Sequence, residues 1–123
     1  MTSIGAARTE NYQIVNRTGN FQPVGNTVVF DASETSGAKE IALPTNATAS
    51  DVLVTNSGTK TAFIAFGTAT LTATVPTSSA AANGTPVLPG AIMVFDRVVN
   101  TWAAVVCAAG ETTTLYVTPG VGA

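Results

Sequence analysis

Seven carboxylates, a single thiol and no histidine set the limits of the chemistry open to this sequence. The acids are Glu10, Asp31, Glu34, Glu40, Asp51, Asp96 and Glu111, and only Asp31 and Glu34 stand close together, in the run DASE. A calcium site wants several oxygens in a short rigid loop with a glycine at the bend. The run DASETSG offers two carboxylates, hydroxyls and Gly37, which falls short of that set and reads better as a solvated turn. A glycosidase needs two carboxylates across a cleft, and nothing in the spacing singles out a pair. Without histidine a serine or cysteine nucleophile lacks its usual base, and zinc lacks its commonest nitrogen ligand. The sequence therefore assigns no catalytic residue, no cofactor and no metal ligand, and the chain is not expected to be an enzyme.

Cys107 sits in WAAVVCAA, where Val105, Val106, Ala108 and Ala109 leave no cation to lower its pKa. A lone cysteine forms no intramolecular bridge, so it is expected to be a small, buried, chemically silent side chain. A sugar platform sets an exposed aromatic beside acids or amides. Trp102, after Asn100 and Thr101, has that form, but packing on the core at a strand edge is the expected role. The triplets at Asn16, Asn46 and Asn83 match a glycosylation pattern and are incidental to a threonine-rich composition.

Charge narrows the partners. The five cations Arg8, Arg17, Lys39, Lys60 and Arg97 are scattered, so there is no basic stripe for phosphates and nucleic acid is not an expected partner. The first residues, MTSIGAARTENYQIVN, hold no long apolar run, which predicts neither a signal peptide nor a membrane anchor, and so synthesis in a cytoplasm. Only 10% of residues are charged, against about 25% in an ordinary domain. A neutral surface of threonine, serine, alanine and glycine suits a protein packed against copies or partners, or one exposed outside cells.

The elements that would position these residues are strands. In ATLTATV (69–75) Leu71, Ala73 and Val75 alternate with threonines, the period of a half-buried strand. The same beat recurs in DVLVTN, TAFIAF, AIMVF, WAAVVCA and TTLYVT, and earlier in NTVVFD; a short strand Glu40 to Leu43 is expected to stop at Pro44. Polar breaks at Asn56-Ser57-Gly58, Gly67, Pro89-Gly90, Asp96 to Thr101 and Gly110-Glu111 read as reversals of a chain of hairpins. These add up to an all-β fold, a jelly-roll-like two-sheet sandwich of about eight short antiparallel strands over residues 21–123, with strand order left open. Residues 1–20 lack the alternation yet carry Tyr12, Ile14 and Val15, and read equally as an arm that orders on a neighbour, or a loosely attached first strand, and as an ordinary disordered terminus. There are more apolar strand positions than one two-layer core needs. Ile64, Phe66 and Val106 are the candidates for a second layer and, with Tyr12, Ile14 and Val15, for an interface in a homo-oligomer, a trimer or a dimer.

From Asp51 onward the chain resembles a group of small structural proteins of tailed bacteriophages. The likeness lies in VTNSGTKTAFIAFGTATLTATVP (54–76), NGTPVLPGAIMVFD (83–96) and TTTLYVTPGVGA (112–123). The resemblance implies a virion component made in the host cytoplasm, a head decoration or cement protein that binds the outside of the major capsid protein shell. It implies no cofactor, no membrane and no nucleic-acid partner. The alternative is another virion module, from a fibre, tail or head-tail adaptor, binding host or carbohydrate at loop tips.

Overall fold

The computed structural model describes residues 20–43, 49–96 and 100–122. Nine strands run through them: β1 (Gln22–Pro23), β2 (Val28–Ala32), β3 (Gly37–Glu40), β4 (Asp51–Asn56), β5 (Ala62–Gly67), β6 (Thr85–Val87), β7 (Ile92–Asp96), β8 (Trp102–Cys107) and β9 (Thr113–Val121). All ladders are antiparallel, and they form two packed sheets. The first sheet runs β2, β9, β4, β7, with β1 pairing the far end of β9 beyond β2. The second runs β3, β8, β5, β6.

The pairs are nested. β2 lies against β9, β3 against β8, β4 against β7 and β5 against β6. The chain is one long hairpin, doubled about residues 68–84 and wrapped over itself, which is the jelly-roll arrangement of two four-stranded sheets. Of the connections between β2 and β9, only that from β5 to β6 joins neighbours in one sheet. The breaks at 57–61, 88–91, 97–101 and 108–112 therefore carry the chain from one sheet to the other. They are not the hairpin turns that their residues suggest, because turn chemistry records a reversal without naming the strand that follows.

The segment ATLTATV is not a strand. Residues 71–76 belong to no ladder, with Ala73 buried and Leu71 and Val75 half-buried. Their polar backbone is held mainly by side chains: Ala73 N donates to Ser36 Oγ (2.9 Å), Thr74 N to Asn83 Oδ1 (2.9 Å), and Asn83 Nδ2 to Thr72 O (2.8 Å), while Gly84 N donates to Thr74 O (3.1 Å). The expected strand at 40–43 lies earlier, at Gly37–Glu40, and Pro44 lies outside the described residues. The last strand continues past Thr118 through Pro119 to Val121. Proline is tolerated there because Pro119 presents its nitrogen and carbonyl to the gap between β2 and β1, where Val24 N donates to Pro119 O (2.7 Å).

Between the sheets Phe30, Ile41, Val52, Val54, Ile64, Val87, Val105, Leu115 and Val117 form the main core. Phe66 and Phe95 bridge the sheets with ring centroids 5.5 Å apart. A second, smaller cluster lies on the outer face of the second sheet, where Ala65, Ala104 and Val106 pack with Phe63 beneath Leu71, Ala73 and Val75.

One end of the core is polar. Asn56 is fully buried, and its amide uses every hydrogen-bonding position: Nδ2 donates to Lys60 O (2.8 Å) and Val87 O (2.9 Å), while Oδ1 accepts from Gly58 N (3.0 Å) and Thr113 Oγ1 (2.8 Å). Gly58 has no room for a side chain, since a Cβ there would collide with Thr113 Oγ1. Each buried group stranded without its partner costs about 1–3 kcal/mol. Asn56→Ala is expected to lower stability by about 3 kcal/mol or more, seen as a drop in the urea midpoint at unchanged slope.

Candidate functional site

The acids singled out in the sequence do structural work. Asp31 is exposed on β2 opposite Thr114, and Glu34 turns away to accept a hydrogen bond from Gly110 N (2.6 Å), tying the β2–β3 loop to the β8–β9 turn. The one close pairing of acidic positions along the ladders was hidden by sequence distance: Asp51 and Asp96 are direct cross-strand partners on the outer face of the first sheet. Asp51 Oδ2 there accepts from Gly122 N (3.0 Å). Among the described residues no three of His, Cys, Asp and Glu are grouped to hold a metal ion.

Of the interface candidates, Ile64 is 1% exposed in the main core and Val106 is 5% exposed beneath the 71–75 segment. Phe66 is half-buried against Phe95. The second apolar layer exists, then, but Val106 and Phe63 form it, and the chain's own Leu71, Ala73 and Val75 cover it. Ile64 and Phe66 face the main core, so neither Ile64 nor Val106 presents a surface to a partner in this fold. Tyr12, Ile14 and Val15 lie outside the described residues. Trp102 is half-buried at the start of β8, an interior strand, on the outer face with Ala104 and Val106 rather than in the main core.

Beside the covering segment opens a groove of about 700 Å³. Glu34, Ser36, Thr72, Thr74 and Thr77 line it together with the apolar Val75, Val106 and Ala109. Its lining donates and accepts hydrogen bonds through hydroxyls, and its carboxylate, Glu34, is already engaged by Gly110 N. No acid and base face each other across it, so the groove is suited to holding something neutral rather than to transferring a proton.

The outer face of the first sheet is different. Val29, Tyr116, Thr55 and Ile92 stand directly opposite one another across its four strands, and Leu53 and Val94 form the next row. Val29, Tyr116 and Ile92 are 40%, 42% and 56% exposed. Leu88, 60% exposed, lies in the β6–β7 turn, which Gly90 N and Ala91 O fasten to the backbone of Asn56. Sequence period marked these side chains as strand residues; their alignment into rows depends on strand order, which the period does not carry.

What the fold and its surfaces define is a jelly-roll sandwich in which, among the described residues, the exposed Val29, Tyr116 and Ile92 share the outer face of the first sheet. Compared with known proteins, the chain matches no family model, no curated protein and no solved structure.

Cys107 is buried in the main core, 2% exposed. Burial pushes its thiol pKa up, the negative charge of Glu111 pushes it the same way, and a hydrogen bond with the Thr113 backbone opposes both. The folded protein thus holds the thiol proton more tightly than the unfolded chain. Stability is expected to fall as pH rises through the ordinary thiol range, because the unfolded chain ionises first. A thiol reagent at pH 8 is expected to modify Cys107 only at the rate of unfolding, rising steeply with added urea; rapid modification of the native protein contradicts this.

Proposed function

We propose that this chain is a structural protein of a bacteriophage virion, a decoration protein that binds the outside of the major capsid shell and stabilises it. The observation that carries the reading is the combination of a jelly roll with a chain in which only 10% of residues are charged. Jelly rolls recur in capsid and lectin domains, and that part of the support is analogy of fold. The residue resemblance over 54–76, 83–96 and 112–123 adds to it. Such a protein works by burying surface across a junction, and it needs no cofactor.

Contact with the shell is assigned to the β6–β7 turn. Leu88 is the most exposed of the large apolar side chains, and its turn is held rigidly by Asn56, so it meets a partner without an ordering cost. The test is sedimentation of the purified chain with shells that lack it, followed by cryo-EM of the decorated shell. Density is expected at regular sites on the shell exterior, and Leu88→Asp is expected to weaken binding at least tenfold while leaving thermal unfolding unchanged. Density confined to the tail or fibres, or no binding at all, overturns the reading.

A further inference from the structure

A sandwich of two open sheets has four edges, and three of them are blunted here. β6 is three residues long and carries Pro86, and β3 is four residues long and ends in Lys39 and Glu40. On β2 the ammonium of Lys39 caps Val29 O (2.7 Å), and β1 beyond it carries Pro23. Short length, proline and charge are the devices that keep an edge from pairing with another chain. The fourth edge has none of them.

That edge is β7, Ile92-Met93-Val94-Phe95-Asp96, which holds no proline, glycine, lysine or arginine and, among the described residues, pairs only with β4. Asn56 N donates to Ala91 O, so the alternation of an antiparallel ladder turns the backbone of Met93 and Phe95 toward β4 and that of Ile92 and Val94 toward the open side. Two amides and two carbonyls stand there in a row. Met93 and Phe95 pack against the main core yet are only half-buried, whereas Phe30 and Ala32 of β2, also an edge strand, are each 2% exposed. The core is closed at the β2 edge and open at the β7 edge.

We propose that β7 pairs antiparallel with β7 of a second copy, joining the first sheets of two chains into one continuous sheet about a two-fold axis at Met93. This inference does not rest on the virion reading.

The edge is complementary to itself in that register. A two-fold axis at Met93 sets Ile92 opposite Val94 of the second copy twice, which gives four backbone hydrogen bonds from the groups that face the open side. On the inner side the same axis sets Phe95 opposite Ala91 of the second copy, a large side chain against a small one, on both sides of the paired methionines. Only isoleucine and valine then meet across the seam on the outer face. Moving the axis to Val94 would place Asp96 opposite Ile92 and lose the match of Phe95 with Ala91.

Charge permits the same arrangement. Asp96 is the one ionisable residue of β7. With the axis at Met93 the two copies of Asp96 lie at opposite ends of the seam, about 20 Å apart along the strands and beyond the screening length of about 8 Å at physiological salt. Neither aspartate opposes the pairing.

The experiment is sedimentation equilibrium of the full chain with no shells present, so that its outcome is separate from shell binding. A dimer is expected at about 100 μM. Val94→Lys puts a charge at the seam, and Ile92→Pro removes an edge amide at the first residue of the strand, where no bond to β4 is broken. Both variants are expected to be monomers at the same concentration with the native circular-dichroism spectrum. Hydrogen exchange then locates the seam: the Ile92 amide is expected to exchange at least tenfold faster in the Val94→Lys monomer than in the wild-type dimer, while the Met93 amide stays protected in both. A monomeric wild-type chain overturns the proposal, as does a dimer that persists in either variant while it remains folded. An Ile92 amide equally protected in the monomer assigns the edge to another part of the same chain and also overturns it.

Discussion

The buried amide of Asn56 is the interaction on which the rest of the fold depends. A jelly roll must carry its chain from sheet to sheet again and again, and at such crossings the ladders that satisfy backbone groups are interrupted. At one end of this sandwich three crossings converge, those leaving β4, β6 and β8, and Asn56 reaches all three. Its side chain binds the carbonyls of Lys60 and Val87, the amide of Gly58 and the hydroxyl of Thr113, while its backbone fastens residues 90 and 91. A group so far from water is tolerable only when each donor and acceptor is matched, and that requirement fixes the positions of its partners as firmly as packing does.

Alternation along the chain reports which side chains are buried, and in that respect the sequence was legible. DVLVTN spans β4 and its burial alternates as the period predicts, while WAAVVC spans β8, which is buried on both faces. What alternation does not report is where the backbone hydrogen bonds go. ATLTATV has a strand's period, and the burial follows it, yet apart from one bond from Gly84 N to Thr74 O its amides and carbonyls find the side chains of Ser36 and Asn83 instead of a ladder. The short β1 and β6, too brief for a period to emerge, were missed for the same reason. Ile64 and Val106 were expected at a surface because one two-layer core seemed too small for them. The third layer that removes this difficulty is made by the one segment whose sequence most resembled a strand.

The two outer faces of the sandwich differ. On the second sheet Phe63, Ala65, Ala104 and Val106 are covered by Leu71, Ala73 and Val75 of the same chain. The first sheet turns out tyrosine, leucine, isoleucine and valine, spaced by threonine and bounded by aspartates.

The position of β9 bears on how the protein is made. It is one of two interior strands of the first sheet, paired on one side with β4 and on the other with β2 and β1, yet it leaves the ribosome after every strand that needs it. Until residues 113–121 are free, β2 has no partner in its own sheet, and β4 has only β7. The second sheet can assemble earlier, since β3, β5, β6 and β8 all precede β9 in the chain. Synthesis therefore imposes an order that the symmetry of the finished sandwich conceals: half a barrel waits, edges open, for its central stave. During that interval a low charge density gives little protection against neighbouring chains, so the interval itself, governed by slow long-range pairing, is where this fold is most exposed to aggregation.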